Sequence, residues 1–94
     1  MIVTVAELKA HLRVQESAED VYLETLLAQA QAAAEDFCRV TFSVPAPQAV
    51  RLAVILMASH YYENRDNADK QVFITMRMAF EDLLYPYRDT TKMF

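Results

Sequence analysis

Residues 48–65 read QAVRLAVILMASHYYENR, and this stretch decides the fold. Seven consecutive apolar residues, Leu52 to Ala58, cover nearly two helical turns. A helix that is hydrophobic all round must be enclosed by other elements, so the reading is a central helix with most of its circumference buried. A membrane span needs about 20 predominantly apolar residues. This run is closed by Arg51 on one side and by His60, Glu63 and Arg65 on the other, so the expected burial is in protein. Pro45 and Pro47 precede it, and a helix beginning at about Pro47 loses no internal hydrogen bond to proline. At its exit, His60-Tyr61-Tyr62-Glu63-Asn64-Arg65 sets phenols among polar groups, as where a buried helix emerges at an edge or interface.

Around that helix the composition predicts an all-α chain: a compact bundle of four helices, two long and two short, with the third at the centre. Among 94 residues there is no glycine and there are three prolines, which removes the residues that tight hairpins and helix C-caps prefer. The length predicts one domain, 1–94, with residues 86–94 as a possible flexible tail. With 54% of residues hydrophobic and 23% charged, apolar surface is left over for partners. Net charge is −4, from 13 acidic and 9 basic residues, and no window gathers the basic cluster that tight, sequence-independent DNA binding requires. The single cysteine, Cys38, sits beside Phe37 in an apolar stripe and reads as a small buried hydrophobe suited to a reducing cytoplasm. The N-terminus lacks the pattern of a secretory signal.

Going outward toward the N-terminus, Thr4-Val5-Ala6-Glu7 matches a capping box, and Val5, Leu8 and Leu12 follow at helical spacing. Ser17, followed by Ala18-Glu19-Asp20, predicts a second N-cap and a helix from about Ala18 to about Arg39. Its stripe is Leu23, Leu26, Leu27, Ala30, Ala33, Ala34 and Phe37, and Glu35 precedes Arg39 in ion-pair order. Five alanines between Ala28 and Ala34 let another helix approach closely, either the central one or one from a neighbouring subunit. Residues 39–44 read as an extended connection, there being no second strand to pair with.

Toward the C-terminus, residues 66–71 read as a polar loop, Thr75 as the cap of a last helix, and Pro86 as its stop. Met76, Ala79, Phe80, Leu83 and Leu84 form the expected apolar face, and Met76 and Met78 read as core.

Chemistry-bearing patterns are missing from the sequence, so no catalytic residue, cofactor or metal ligand is assigned. His11 and His60 belong to no zinc motif, and a chain without glycine has neither a phosphate-cradling loop nor a nucleophile elbow. The adjacent carboxylates Glu35-Asp36 and Glu81-Asp82 point about 100° apart on a helix and read as solvated faces.

Taken in order, IVTVAELKAHLRV, AEDVYLETLLAQAQAAAEDF, the Val44-Pro45 step, AVRLAVILMASHYYENRD and LLYPYR resemble the small head-tail connector proteins of tailed bacteriophages, also called adaptor or head-completion proteins. The resemblance implies a structural virion protein, not an enzyme, that forms a homo-oligomeric ring of about twelve copies at the head-tail junction. Such a ring docks on the portal protein, extends a channel through which DNA passes without tight binding, and receives a tail or stopper protein. It involves no membrane, and assembly takes place in the host cytoplasm. Family members often carry a glycine where this chain has Cys38-Arg39-Val40, a tryptophan near Tyr61, and a proline where it has Thr75. The expected protein-interface residues are Tyr61, Tyr62, Glu63 and Arg65 at the exit of the third helix, and Tyr85, Tyr87, Arg88 and Phe94 near the C-terminus. A competing reading, a small helical DNA-binding regulator, rests on the short helix, turn and longer helix within Thr4 to Phe37. Against it, the second helix opens with Glu19, Asp20 and Glu24, where a recognition helix presents basic and amide groups.

Overall fold

A computed structural model describes residues 1–64 and 70–88 of the chain. Four α-helices follow one another, α1 (Val5–Leu12), α2 (Asp20–Cys38), α3 (Gln48–Glu63) and α4 (Lys70–Leu84), and a 3₁₀ turn, Tyr85–Tyr87, closes the series. Among the described residues there is no strand.

The first helix is set by the capping box read from the sequence. The Glu7 amide donates to Thr4 Oγ1 at 3.1 Å, and the Thr4 amide donates to Glu7 Oε1 at 3.1 Å. α2 starts later than expected. Ser17 does not cap it through its side chain; the chain turns through Ser17 to Glu19, the Asp20 amide donates to the Ser17 carbonyl at 3.3 Å, and the helix opens at Asp20. Both α1 and α2 end on an arginine in the left-handed region, Arg13 (φ 60°) and Arg39 (φ 59°), a conformation glycine usually supplies.

α3 packs against α1, α2 and α4, and is therefore the centre of the bundle. Val50, Ala53, Val54, Met57, Ala58 and Ser59 are buried. Its enclosure is incomplete, since Leu52 keeps 39% of its surface exposed. With Leu8, Leu23, Leu27, Phe80 and Leu84 from the other helices, these residues make one core. Each fully buried aliphatic side chain contributes about 1.5–3 kcal/mol relative to exposure.

The relative directions of the helices follow from their end contacts. Tyr22 near the start of α2 lies 6.5 Å, between ring centroids, from Tyr62 at the end of α3. His60 lies 5.7 Å from Phe73 at the start of α4, and the Cys38 thiol at the end of α2 donates to the Leu84 carbonyl at 3.6 Å at the end of α4. So α2 and α4 run parallel to each other, antiparallel to α3, and flank it on two sides.

The last helix departs most from expectation. It begins at Lys70, so Lys70 and Gln71 are helical rather than loop, and at 15 residues it is a third long helix. Thr75 is not its cap: its hydroxyl donates back to the Gln71 carbonyl at 3.0 Å from within the helix. Phe80 and Leu84 are buried and Met76 and Leu83 half-buried, but Ala79 is exposed. Met78 is not core either, with 62% of its surface exposed.

Candidate assembly surfaces

The two phenols at the exit of α3 diverge, because consecutive helical residues point about 100° apart. Tyr61 is half-buried and walls a cleft of about 410 Å³ between α2, α3 and α4, together with Phe37, Phe73, Arg77 and Phe80. Burial pushes its phenol above the ordinary range, partly offset by the Arg77 guanidinium. Tyr62 turns to the other side, toward Tyr22, and its hydroxyl donates to Glu19 Oε1 at 3.5 Å. Glu63 is exposed, and Asn64 closes the helix with its side-chain amide on the His60 carbonyl at 3.0 Å. Arg65, expected to share this surface, lies outside the described residues.

At the other end, Tyr85 and Tyr87 are exposed, Tyr85 by 65%. Arg88 instead folds back, with its guanidinium carbon 4.8 Å from the centre of the Phe37 ring. Residues 89–94, including Phe94 and most of the expected flexible tail, lie outside the described residues. The exit of α3 and the 3₁₀ turn are therefore separate surfaces, at the two ends of the bundle. Cys38 is fully buried, and burial raises its thiol above the ordinary value, with Arg88 pulling the other way.

Several connections were not legible in the sequence. The Arg51 guanidinium pairs with Glu7 and donates from Nε to the Ile2 carbonyl at 3.4 Å, while the Ile2 amide donates to Gln31 Oε1 at 2.9 Å. The N-terminal segment is thus clamped between α2 and α3. Glu35 is not simply solvated: its carboxylate accepts the Phe42 amide at 2.9 Å and the Gln31 side-chain amide at 3.4 Å, which fixes the start of the 39–47 connection. Lys9 and Asp20 pair at 2.9 Å and hold α1 on α2. The Arg51 and Ile2 contacts bridge residues far apart in sequence, so no local pattern announces them.

Also unforeseen are the exposed apolar residues of α4, Ile74 and Met78 on one face and Val72 on another. The alanines of α2 divide between two faces. Ala30 and Ala34 are buried within the bundle, whereas Ala28 and Ala32 face outward. Among the described residues no three His, Cys, Asp or Glu side chains converge as a metal set, and no helix is long and apolar enough to cross a membrane.

A small helical bundle with surplus apolar surface on a flank and aromatic residues at its ends is an assembly module. Residues 2–88 match the family model described as phage gp6-like head-tail connector protein, and the chain belongs to that family. It is a structural protein of the bacteriophage virion, not an enzyme, and its place is the junction of head and tail, among portal and tail components. Comparison with the curated proteins and with the solved structures gave no match.

Proposed function

We propose that copies of this chain close into a ring of about twelve that docks on the portal vertex, extends the DNA channel and receives the tail or a stopper protein. The observation that carries this reading is apolar surface left exposed on more than one face of the bundle, Val72 on one side of α4, Ile74 and Met78 on another, and Ala28 and Ala32 on α2. A ring needs two unlike faces per subunit, whereas a closed dimer needs one. The net charge of −4 supports a conduit that lets a polyanion pass, because it avoids the counterion release that makes basic surfaces hold DNA. The ring assembles in the host cytoplasm from single folded units of this chain. The end surfaces, Tyr61 to Arg65 on one side and Tyr85 to Phe94 on the other, are proposed to meet the flanking virion proteins.

The test is absolute mass in solution across a concentration range, with negative-stain images of any large species, repeated with added portal. Closed rings, alone or on the portal, are the expected result. A stable dimer that binds duplex DNA with strong salt dependence would instead favour the regulator.

A further inference from the structure

The cleft between α2, α3 and α4 has aromatic walls and a charged rim. Phe37, Tyr61, Phe73 and Phe80 line it, and Phe73 keeps 37% of its surface exposed. At about 410 Å³ it falls within the range of clefts that hold a ligand, about 300–1,000 Å³. Asp36, Arg77 and Glu81 stand at its rim. Arg77 donates to Glu81 at 3.1 Å, which leaves the exposed Asp36 carboxylate without an ion-pair partner among the described residues. The rim thus carries one negative charge in excess.

Arg88, the last described residue, stands at one end of this cleft. Its guanidinium carbon is 4.8 Å from the centre of the Phe37 ring, and Phe37 is a cleft wall. The next six residues, 89–94, read Asp-Thr-Thr-Lys-Met-Phe. Asp89, the acid of this segment, directly follows the Arg88 cation, Lys92 brings one positive charge, and Met93 and Phe94 form an apolar pair. Six extended residues span roughly 20 Å. From Glu81 to Phe73 the cleft runs about 12 Å along α4, so Phe94 reaches its far wall with length to spare.

We propose that Met93 and Phe94 occupy the cleft of their own chain, with Phe94 against Tyr61 and Phe73 and the Lys92 ammonium at the rim beside Asp36. Burial of two apolar side chains among aromatic walls drives the contact, and the opposite charges of Lys92 and Asp36 set its position. The anchor at Arg88 makes the event intramolecular, with an effective concentration on the order of millimolar, which favours the chain's own segment over that of a second copy. The inference concerns the single chain and stands whether or not copies close into a ring. A flanking protein that engages residues 92–94 must first displace them from the cleft.

The full chain contains no tryptophan, so Phe94→Trp places a single fluorophore on the segment. Its emission should be blue-shifted from that of the urea-unfolded chain and shielded from acrylamide, and neither property should change on dilution. In that background Lys92→Glu should lower the ratio of docked to free segment about two- to fivefold, as for an exposed ion pair, and Asp36→Lys in the same chain should restore it. Phe73→Ala, at an exposed position and checked for unchanged helicity, should uncover the fluorophore. Solvent-like emission from the folded chain would show that the segment lies outside the cleft and would overturn the inference while leaving the ring untouched. Shielding that is lost on dilution would place the segment in the cleft of another copy and overturn the intrachain contact. Shielding that survives both Lys92→Glu and Phe73→Ala would assign the segment to a different surface, and the inference would fail there too.

Discussion

The guanidinium of Arg88 lies over the ring of Phe37, 4.8 Å from its centroid, and this contact ties the segment after α4 to the end of α2. The Arg88 Nε is buried without a hydrogen-bond partner among the described residues, so the cation rests chiefly on the aromatic face. A desolvated cation–π contact contributes about 0.5–2 kcal/mol. Arg88→Met, which keeps length and removes charge, is expected to lower unfolding free energy by about 1 kcal/mol, read by urea denaturation. Phe37→Leu should lose a similar amount from this contact, and the double variant should cost less than the sum, because the two residues act as one pair. Strict additivity would mean that the stacking contributes nothing.

Ser59 is buried at the centre of the bundle, and its hydroxyl has no hydrogen-bond partner among the described residues. A buried, unsatisfied hydroxyl costs about 1–3 kcal/mol in desolvation. Ser59→Ala should therefore raise the midpoint of thermal unfolding, by an amount corresponding to about 1 kcal/mol, with helicity unchanged. A loss of stability on this substitution would show that the hydroxyl is satisfied, for instance by internal water.

How much of this fold is legible in the sequence depends on whether the governing signal is local. The Thr4 and Glu7 capping box lies within one turn and was readable at once, as were the apolar run of α3 and the Pro86 stop. The start of α4 was not. Val72, Phe73 and Ile74 are all exposed to solvent, so the first turns of α4 carry no buried stripe, and the amphipathic pattern begins only at Met76. Thr75 looked like a cap because a hydroxyl preceded that pattern, yet its oxygen serves the helix interior. Met78 differs from its expected core position for a related reason: an exposed apolar residue at helical spacing looks, in one dimension, like core. Of the expected interface residues, Tyr85 and Tyr87 are exposed, whereas Arg88 is engaged within the molecule. The clamp of Arg51 on Glu7 and Ile2 joins residues more than forty positions apart, beyond any periodicity.

The absence of glycine leaves a specific opportunity. Arg13 ends α1 in the left-handed region at φ 60°, where a side chain with a Cβ is disfavoured by roughly 1 kcal/mol or more. Arg13→Gly removes that clash but loosens the unfolded chain, so the expected net gain is about 0.5–1 kcal/mol, measured by denaturant titration. The same exchange inside a helix, as Ala10→Gly in α1, should destabilise by about 1 kcal/mol and serves as the control.

Arg51 supplies the charge that holds the N-terminal segment. Arg51→Gln should remove the ion pair with Glu7 and the bond to the Ile2 carbonyl, while leaving the Thr4–Glu7 capping box intact. Both side chains keep about a third of their surface exposed, so the ion pair itself contributes at most about 1 kcal/mol. The larger expected effect is local: faster amide exchange over residues 2–12, with the rest of the bundle unchanged. Uniform acceleration across all four helices would place Arg51 in the global stability of the fold instead.

Alkaline pH should weaken the bundle through Cys38 and Tyr61. Burial raises both groups above their ordinary values of 9.0 and 10.0, so each is held protonated in the folded chain after it has begun to ionise in the unfolded one. The unfolded state thus binds fewer protons over that range, and stability is unaffected below about pH 8 but falls as pH rises through 9 and 10. Tyr61→Phe and Cys38→Ala should each flatten part of that decline, the cysteine variant from the lower pH, at the cost of a small constant loss from packing for Cys38→Ala. Urea midpoints measured from pH 7 to pH 11 test this directly. A decline that persists unchanged in the double variant would assign the alkaline sensitivity to other groups.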